Sequence, residues 1–341
     1  MISLNGHFTW LCVLGLIVPM VPAGGPPASS GSPNGYLLVC NKADHTLGIV
    51  DLKADKQVAV IPDGGVTGHE VAASPDGHFA YVPIYGNSGV GQPGTSGHSI
   101  SIMDVTKHER AGEIDLGKPL RPHCPVMGPD GMMYVTTELA EAVTVIDPST
   151  RKVVGSISTE QPESHMLVIS NDGRRGYTAN VGPGTVTALD LKARKPIKVI
   201  KVSGHVQRIS ITPDDHYVFT ADQTSPRIAV IDTHTNQVHS WITIPDVAFG
   251  TRVTLDGKWL LATLPSRDQI AVIDLKSMKF EKAIPVPKAP QEILLRPDGK
   301  VAFVSCDSSH EVAVLDLGSW KVEKLIETGH GVDGMAWAPL E

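Results

Sequence analysis

An aspartate ends a short hydrophobic run seven times along the chain, and this repeat constrains the fold more than any other feature. The aspartates are Asp51, Asp104, Asp147, Asp190, Asp232, Asp274 and Asp316. The first interval is 53 residues, and the next five are 43, 43, 42, 42 and 42 residues. Recurrence at this spacing is typical of repeat architectures, in which each repeat is one supersecondary unit.

Turn signals run in phase with these aspartates. Six Pro-Asp-Gly-like turns separate pairs of apolar runs, and their aspartates are Asp76, Asp130, Asp172, Asp214, Asp256 and Asp298. Within one period, runs rich in β-branched and aromatic residues occupy 208–212, 217–221, 227–232 and 237–244, which predicts four strands. No apolar stripe of helical period lasts ten residues between the turns, so we expect an all-β chain.

Seven such units predict a seven-bladed β-propeller. A sheet of one repeat cannot bury both of its faces alone, whereas sheets packed radially leave only short edges. Residues 334–339 match the first strand of a repeat, and residues 36–40 match a second strand that has no first strand before it. We therefore expect residues 330–341 and 36–61 to share one blade, so that an N/C-terminal strand latch closes a single domain of residues 36–341.

Three segments that follow the turns carry a family resemblance. They are Tyr81-Val82-Pro83-Ile84, Tyr134-Val135-Thr136-Thr137 and Tyr177-Thr178-Ala179-Asn180, each followed by a strand that ends in aspartate. Residues 36–341 thus resemble the YVTN-repeat β-propellers. The resemblance implies a bacterial, extracytoplasmic propeller, more distantly similar to those of quinoprotein amine dehydrogenases, cytochrome d1 domains and lactonases. It implies no single activity, because one fold hosts many functions.

The N-terminus predicts export. Residues 8–21 form an apolar stretch too short to span a bilayer, and small residues follow it in Val21-Pro22-Ala23. We expect residues 1–23 to be a signal peptide, residues 24–35 to be a flexible linker rich in Gly, Pro and Ser, and the product to be periplasmic or secreted. No membrane span is expected after cleavage, and we expect a monomer.

The charge of the chain bears on its partners, and its cysteine count bears on disulfide bonds. The net charge is −7 and no basic patch of five or more residues occurs, which disfavours nucleic-acid binding. Removal of Cys12 with the leader would leave Cys40, Cys124 and Cys306, an odd number that cannot all pair. Because free cysteine is among the most buried residue types, we expect buried thiols.

Candidate site residues lie where the repeats differ, at the start of each first strand, which lines the axial channel. Seven residues before each turn aspartate the chain has His69, His123, His165, Gln207, Phe249 and Gln291, with Asp333 in the latch blade. The next positions are Glu70, Cys124, Met166, Arg208, Gly250, Glu292 and Gly334. Apart from Phe249, Met166, Gly250 and Gly334, these are candidate ligand-binding residues.

Three of these residues, His69, His123 and His165, would be metal ligands if their imidazoles converge. Neutral imidazoles favour a Zn²⁺ or Cu ion, with one position left open for water or substrate. The same ring could instead bind a polar ligand without metal, or the histidines could hydrogen-bond neighbouring loops.

The long first interval indicates an insertion. About ten extra residues fall in 85–98, between the second and third strands of the second blade, and are rich in glycine. This loop should lie on the same face as the histidines, where it would act as a lid or binding loop through Tyr85 and Asn87, unless it is only a surface insertion. It lacks the Gly-Lys-Ser/Thr of a phosphate-binding loop.

Three functions remain open from the sequence. The first is an exported propeller that binds a small polar ligand or a protein partner at the histidine face. The second is a metal-dependent hydrolase of lactonase type, with Glu70 or Glu292 as general base. The third is a redox or cofactor-maturation propeller similar to the cytochrome d1 and quinoprotein propellers.

Overall fold

The computed structural model describes residues 1–2 and 34–340, and residues 34–340 form an all-β, seven-bladed propeller. The predicted fold class is therefore confirmed. Each blade is one four-stranded antiparallel sheet, and only three short 3₁₀ turns, Glu138–Ala140, Pro265–Arg267 and Asp307–Ser309, interrupt the strands in the described part of the chain.

The strands of blades 1 to 4 have the following bounds. Blade 1 contains β1 (Gly35–Asn41), β2 (Thr46–Asp51), β3 (Lys56–Pro62) and the last strand, β28 (Val332–Pro339). Blade 2 contains β4 (Ala72–Ala73), β5 (Phe79–Pro83), β6 (Ser99–Asp104) and β7 (Glu109–Asp115). Blade 3 contains β8 (Pro122–Met127), β9 (Met133–Thr137), β10 (Ala142–Asp147) and β11 (Lys152–Ser158). Blade 4 contains β12 (Ser164–Ile169), β13 (Arg175–Asn180), β14 (Thr185–Asp190) and β15 (Lys195–Lys201).

Blades 5 to 7 complete the ring. Blade 5 contains β16 (Val206–Ile211), β17 (Tyr217–Asp222), β18 (Arg227–Asp232) and β19 (Gln237–Thr243). Blade 6 contains β20 (Thr251–Val253), β21 (Trp259–Leu264), β22 (Gln269–Asp274) and β23 (Lys279–Pro285). Blade 7 contains β24 (Pro290–Leu295), β25 (Val301–Cys306), β26 (Glu311–Asp316) and β27 (Lys321–Glu327). The first strands contact one another in the closed order β28, β4, β8, β12, β16, β20, β24 and back to β28, so they surround the axis.

The repeated aspartates owe their positions to a turn. Each ends a third strand, and in all seven blades its Oδ1 accepts a backbone N–H two or three residues further on, as Asp51 does from Lys53 at 2.8 Å. Such a side-chain-to-backbone bond stabilises the turn into the fourth strand. The aspartate spacing in the sequence therefore marks the same turn in every blade.

The core lies between blades. Residues of the second and third strands are almost all buried, as Phe303 and Val230 illustrate, because these strands are covered on both faces by neighbouring blades. Fourth strands are mostly exposed, as expected for outer strands, and each of the two in blades 3 and 7 buries a single residue, Ile157 and Ile326.

Both chain ends build blade 1, as predicted. β28 pairs antiparallel with β1, with Leu37 opposite Trp337 and Leu38 opposite Ala336. Leu37 and Leu38 are fully buried, so the pairing closes apolar surface as well as the hydrogen-bonded edge.

Residues 3–23 of the predicted signal peptide and nearly all of the predicted linker lie outside the described residues. Within residues 1–2 and 34–340, no helix has the length and apolarity needed to cross a membrane. The three cysteines of this part, Cys40, Cys124 and Cys306, are free and buried, as expected. Burial raises the pKa of Cys124 and Cys306 to about 12, so both thiols stay protonated and poorly nucleophilic.

Candidate functional site

The first strands begin irregularly, and this irregularity shapes the site. Pairing between first and second strands shifts register between Pro122 and Pro125, and again between Val206 and Ile209. Similar shifts occur in blades 4 and 7, while β4 of blade 2 is only two residues long. Bulges of this kind release consecutive side chains from strict alternation, so two adjacent residues of one blade can face the axis.

An axial cavity of about 160 Å³ lies at this end of the first strands. It is lined by Lys42, His69, Glu70, Tyr85, Ser88, Gly89, Val90, His123, His165, Met166, Gln207, Arg208, Phe249, Gln291 and Asp333. Every blade contributes at least one lining residue, directly or through the segment before its first strand. The cavity is therefore a property of the closed ring.

Three histidines from consecutive blades meet in the cavity. The rings of His123 and His165 stack with centroids 3.6 Å apart, and His69 meets His123 edge to face at 5.5 Å. Tyr85 contacts all three rings, with centroid distances of 5.2, 5.3 and 6.1 Å. The predicted histidine ring thus forms, and the insertion supplies an aromatic side chain to it.

Burial keeps these imidazoles neutral. It lowers the pKa of His69 to about 4 and that of His165 to about 3, and it holds the pKa of His123 well below its ordinary value. Protonation of His165 or His69, and the charge of Arg208, would further disfavour the charged form of His123 and so lower its pKa. At neutral pH the three side chains therefore act as uncharged hydrogen-bonding groups.

The floor of the cavity is an ion cluster centred on Arg208. Its Nη2 lies 2.7 Å from Oε1 of Glu70 and 2.7 Å from Oδ1 of Asp333, and its Nη1 lies 3.7 Å from Oε1 of Glu292. Lys42 Nζ donates to the second oxygen of Asp333 at 3.1 Å. Because β16 faces β28 and β4 across the axis, one guanidinium joins blade 5 to blades 1, 2 and 7.

The carboxylates of the cluster differ in acidity. Burial raises the pKa of Glu70 to about 8 against the opposing attraction of Arg208, and it raises the pKa of Glu292. Burial also opposes ionisation of Asp333, yet Arg208 and Lys42 together lower its pKa. The three carboxyl groups face three cations, Arg208, Lys42 and the partly exposed Arg252, while burial favours a proton on Glu70.

Close packing between blades 1 and 2 brings Glu70 to Arg208. Gly334 N donates to the carbonyl of His69 at 2.9 Å, and a β-carbon at Gly334 would lie 2.6 Å from Cα of Glu70. Only glycine permits this approach without displacing the backbone.

A second buried network fastens the insertion. Glu138 accepts hydrogen bonds from the hydroxyl of Tyr85, from Gly91 N at 3.2 Å and from Arg121 Nη1 at 3.0 Å. Arg121 Nε donates in turn to Ser96 Oγ at 3.0 Å. The Arg121 and Glu138 side chains are 6% and 4% exposed, so the ion pair is shielded from water. Residues 85–98 therefore form a fixed cover over the histidines.

The cover crosses several blades. The loop starts in blade 2, and the N–H of its Gly91 donates to Glu138 of blade 3. A β-carbon at Gly91 would lie 2.5 Å from the carboxylate of Glu163, a residue that precedes β12 of blade 4. Gly91 has φ of +68°, a backbone conformation that favours glycine. Gly91 thus permits close contact between the insertion and a neighbouring blade.

Most predicted site residues line the cavity, and three do not. The lining includes His69, Glu70, Tyr85, His123, His165, Gln207, Arg208, Gln291 and Asp333. Cys124 is buried with its thiol 3.7 Å from the carbonyl of Leu167, and Glu292 lies below the lining, where it accepts from Met335 N at 2.6 Å. Asn87 is exposed and accepts from Thr95 N at 2.8 Å within its own loop.

Sequence reasoning missed four functional side chains. Lys42 and Ser88 line the cavity, and Arg121 with Glu138 holds its cover. Arg121 comes two residues before His123, and Glu138 directly follows a second strand, so both lie outside the predicted columns. A search for opposite charges at the paired ends of the first and second strands of one blade could have found Arg121 and Glu138.

The histidines of the cavity do not present three donor atoms to one point. Their rings pack face to face or edge to face, and the three-residue donor group found within the described residues lies elsewhere, at His216, Asp232 and His234. A metal on His69, His123 and His165 would therefore require rotation of the rings. The predicted catalytic role of Glu70 or Glu292 stays a prediction.

Comparisons with known proteins bear on the fold. No protein-family model matches the chain, and no curated protein matches it, so the resemblance to YVTN-repeat propellers stays a prediction. Among solved structures, hydrazine synthase from Kuenenia stuttgartiensis is similar, with a TM-score of 0.67 and 19% identity over 80% of this chain and 90% of that chain. At this identity the likeness shows the propeller architecture alone.

Proposed function

We propose that this propeller binds a small, neutral, polar molecule in its axial cavity, beneath residues 85–98. The observation that carries the proposal is unused hydrogen-bonding capacity. His123 Nδ1, His165 Nδ1, Ser88 Oγ and Arg208 Nε are buried without a hydrogen-bond partner, and all four belong to lining residues. Buried polar groups without partners are costly, and their concentration around one cavity supports a ligand or ordered water there.

The size of the cavity supports a small molecule over a protein partner. A cavity of about 160 Å³ is close to the size that admits a single six-membered ring. The cover crosses blades 2 to 4 and is held by a buried ion pair, so a protein segment would have to displace it. We therefore favour the small polar ligand among the two ligand classes predicted.

Electrostatics support a neutral ligand. The imidazoles are uncharged at neutral pH, and the Arg208 and Lys42 cations already pair with Glu70 and Asp333. A charged ligand would bring a further buried charge that no unpaired group of the lining compensates, which costs several kcal/mol. A ligand with both donors and acceptors and one flat face fits the stacked imidazoles and Tyr85.

The test is a binding screen on the purified full-length chain. Saturation-transfer NMR and thermal shift would be measured with nicotinamide, uracil and glucose, and with acetate and putrescine as charged comparators. We expect binding among the neutral compounds. His123→Ala, His165→Ala and the His69→Ala/His123→Ala/His165→Ala triple variant should each abolish it to a similar extent, because one site fails when any member is lost.

His78→Ala is the matched control, because this exposed histidine lies at the other end of the first strand of blade 2. Binding that survives in all three variants, or binding of the charged compounds alone, would contradict the proposal. So would a screen without hits in which each single variant loses about 1 kcal/mol of stability and the triple variant about 3 kcal/mol, since additive losses mark structural histidines.

A further inference from the structure

A second histidine cluster lies on the opposite face of the disc, in blade 5. His216 ends the turn between β16 and β17, Asp232 ends β18, and His234 lies in the following turn. One donor atom from each lies within 4.8 Å of the others, and His216 Nε2 is 3.5 Å from Asp232 Oδ2. Because β16 runs from the axial cavity toward His216, this cluster and the cavity occupy opposite ends of the blade.

The cluster is oriented before any ligand arrives. Asp232 Oδ1 accepts from the backbone N–H of His234 at 2.9 Å and of Thr235 at 2.8 Å, which leaves Oδ2 directed to the histidines. The His216 ring stacks on Tyr217 with centroids 4.1 Å apart and meets His234 edge to face at 5.2 Å. Hydrogen bonds and stacking that fix ligands in place are typical of metal sites.

The other blades provide an internal comparison. Each third strand ends in the same aspartate, but blade 5 alone places histidine both before its second strand and two residues after the aspartate. In blade 2, His78 corresponds to His216, whereas Thr106 takes the place of His234 and donates to Asp104 at 2.7 Å. The histidine pair is thus specific to one blade and is not a by-product of the repeat.

We propose that His216, Asp232 and His234 bind one divalent transition-metal ion of the Zn²⁺ class. Two imidazoles with one carboxylate are a donor set that such ions accept, and bonds of about 2.0–2.1 Å in tetrahedral geometry place donors about 3.3 Å apart. The observed 3.5 Å between His216 and Asp232 needs almost no change. The side chains of His216 and Asp232 are partly exposed, so the remaining closure costs little packing.

The surroundings favour a cation with an open coordination position. Asp214 accepts from His216 N at 3.0 Å and adds negative charge beside the cluster. Three protein ligands leave at least one position for water or for a donor from a partner. This site does not depend on the proposed small-molecule cavity.

Isothermal titration calorimetry of ZnCl₂ into the full-length chain, purified without a polyhistidine tag, tests the site. We expect one high-affinity ion per chain and at least tenfold weaker binding in His216→Ala, in His234→Ala and in Asp232→Asn. Asp232→Asn keeps the turn, since its amide oxygen replaces Oδ1, and therefore separates ligand loss from misfolding. His78→Ala, the corresponding histidine of blade 2, should bind like the parent.

A second readout keeps the result interpretable. Zn²⁺ should raise the melting temperature of the parent chain and not of the His216→Ala/His234→Ala variant, because a ligand stabilises only the state that binds it. The proposal is overturned if the parent binds no Zn²⁺, or if these three variants bind as the parent does. It is also overturned if Zn²⁺ binding is lost in His123→Ala/His165→Ala but kept in His216→Ala/His234→Ala, which would assign the ion to the cavity.

Discussion

Nη2 of Arg208 lies 2.7 Å from Oδ1 of Asp333, although 125 residues separate the two in sequence. Arg208 belongs to β16 and Asp333 to β28, on opposite sides of the ring of first strands. The same nitrogen reaches Glu70 of blade 2. The centre of the disc is thus held by charge, whereas the spaces between blades are apolar.

Arg208→Met should lower the free energy of unfolding by about 3–5 kcal/mol, because removal of one partner leaves buried carboxylates without compensation. Urea denaturation at pH 7 measures the change. Arg252→Met is the control, because Arg252 is 38% exposed and its Nη2 lies 3.7 Å from Oε1 of Glu292. Loss of this exposed ion pair should lower the free energy of unfolding much less. Equal losses in the two variants would show that the axial position of Arg208 is not special.

Glu138→Gln should release the cover and lower the free energy of unfolding by about 3–5 kcal/mol, because buried Arg121 loses its counterion. Hydrogen exchange should accelerate across residues 85–97. Glu141→Gln, an exposed change three residues away, should alter neither quantity. Unchanged exchange in Glu138→Gln would mean that the loop is held by its backbone contacts alone.

Removal of residues 330–341 should abolish the single cooperative melting transition or cause aggregation, because β1 loses its partner and blade 1 loses its inner strand. Differential scanning calorimetry and light scattering detect the two outcomes. A chain that ends at Pro339 keeps all of β28 and should melt like the parent. A melting temperature within a few degrees of the parent after the longer deletion would refute the latch.

His165→Gln should make stability less sensitive to acid. The folded pKa of about 3 lies below the ordinary 6.5, so only the unfolded chain takes up this proton between those values. The stability that neutral His165 provides is therefore present above pH 6.5 and is lost as pH falls toward 3. Urea denaturation across this range should show a shallower fall in the variant.

Glu70→Gln should change the pH dependence of the free energy of unfolding in the opposite direction. Its folded pKa of about 8 lies above 4.5, so its contribution is present below pH 4.5 and is lost as pH rises to about 8. The variant should no longer show this fall in the free energy of unfolding between pH 4.5 and about 8. Identical pH profiles for the parent and both variants would contradict the assigned protonation states.

Expression with the leader in a bacterial host should yield a mature chain that begins near Gly24 in the periplasmic or secreted fraction. Mass spectrometry of the intact protein checks this. Leu14→Asp, which places a charge in the apolar stretch, should block processing. A parent chain that retains Met1 and is not exported would contradict the expectation.

The fold could be predicted because the same pattern of strands and turns recurs along the chain. Each repeat therefore supports the interpretation of the others. The turn aspartates set the strands to within one or two residues, as the predicted 227–232 and the observed Arg227–Asp232 show. The histidine column was also visible, since equivalent positions in consecutive blades meet at the axis once the ring closes.

Contacts across the axis could not be predicted in the same way. The ion pairs of Arg208 with Glu70 and Asp333 depend on which blades face each other across the axis. They also depend on the irregular strand pairing that turns consecutive side chains inward. The link from Glu138 to Tyr85 likewise spans two blades and a non-repeating loop. The repeat pattern relates only equivalent positions of different blades, and these partners occupy positions that are not equivalent.

The split composition of blade 1 sets an order of events during synthesis. β1, β2 and β3 leave the ribosome before any other strand, yet their inner neighbour β28 emerges after all of them. Asp333, which completes the charges around Arg208, arrives with it. The cavity floor therefore cannot assemble until β28 has been synthesised, and a chain without β28 would lack both the inner strand of blade 1 and Asp333. The inner edge of β1 thus stays unpaired until β28 is made, and an unpaired strand edge exposed for that time favours aggregation.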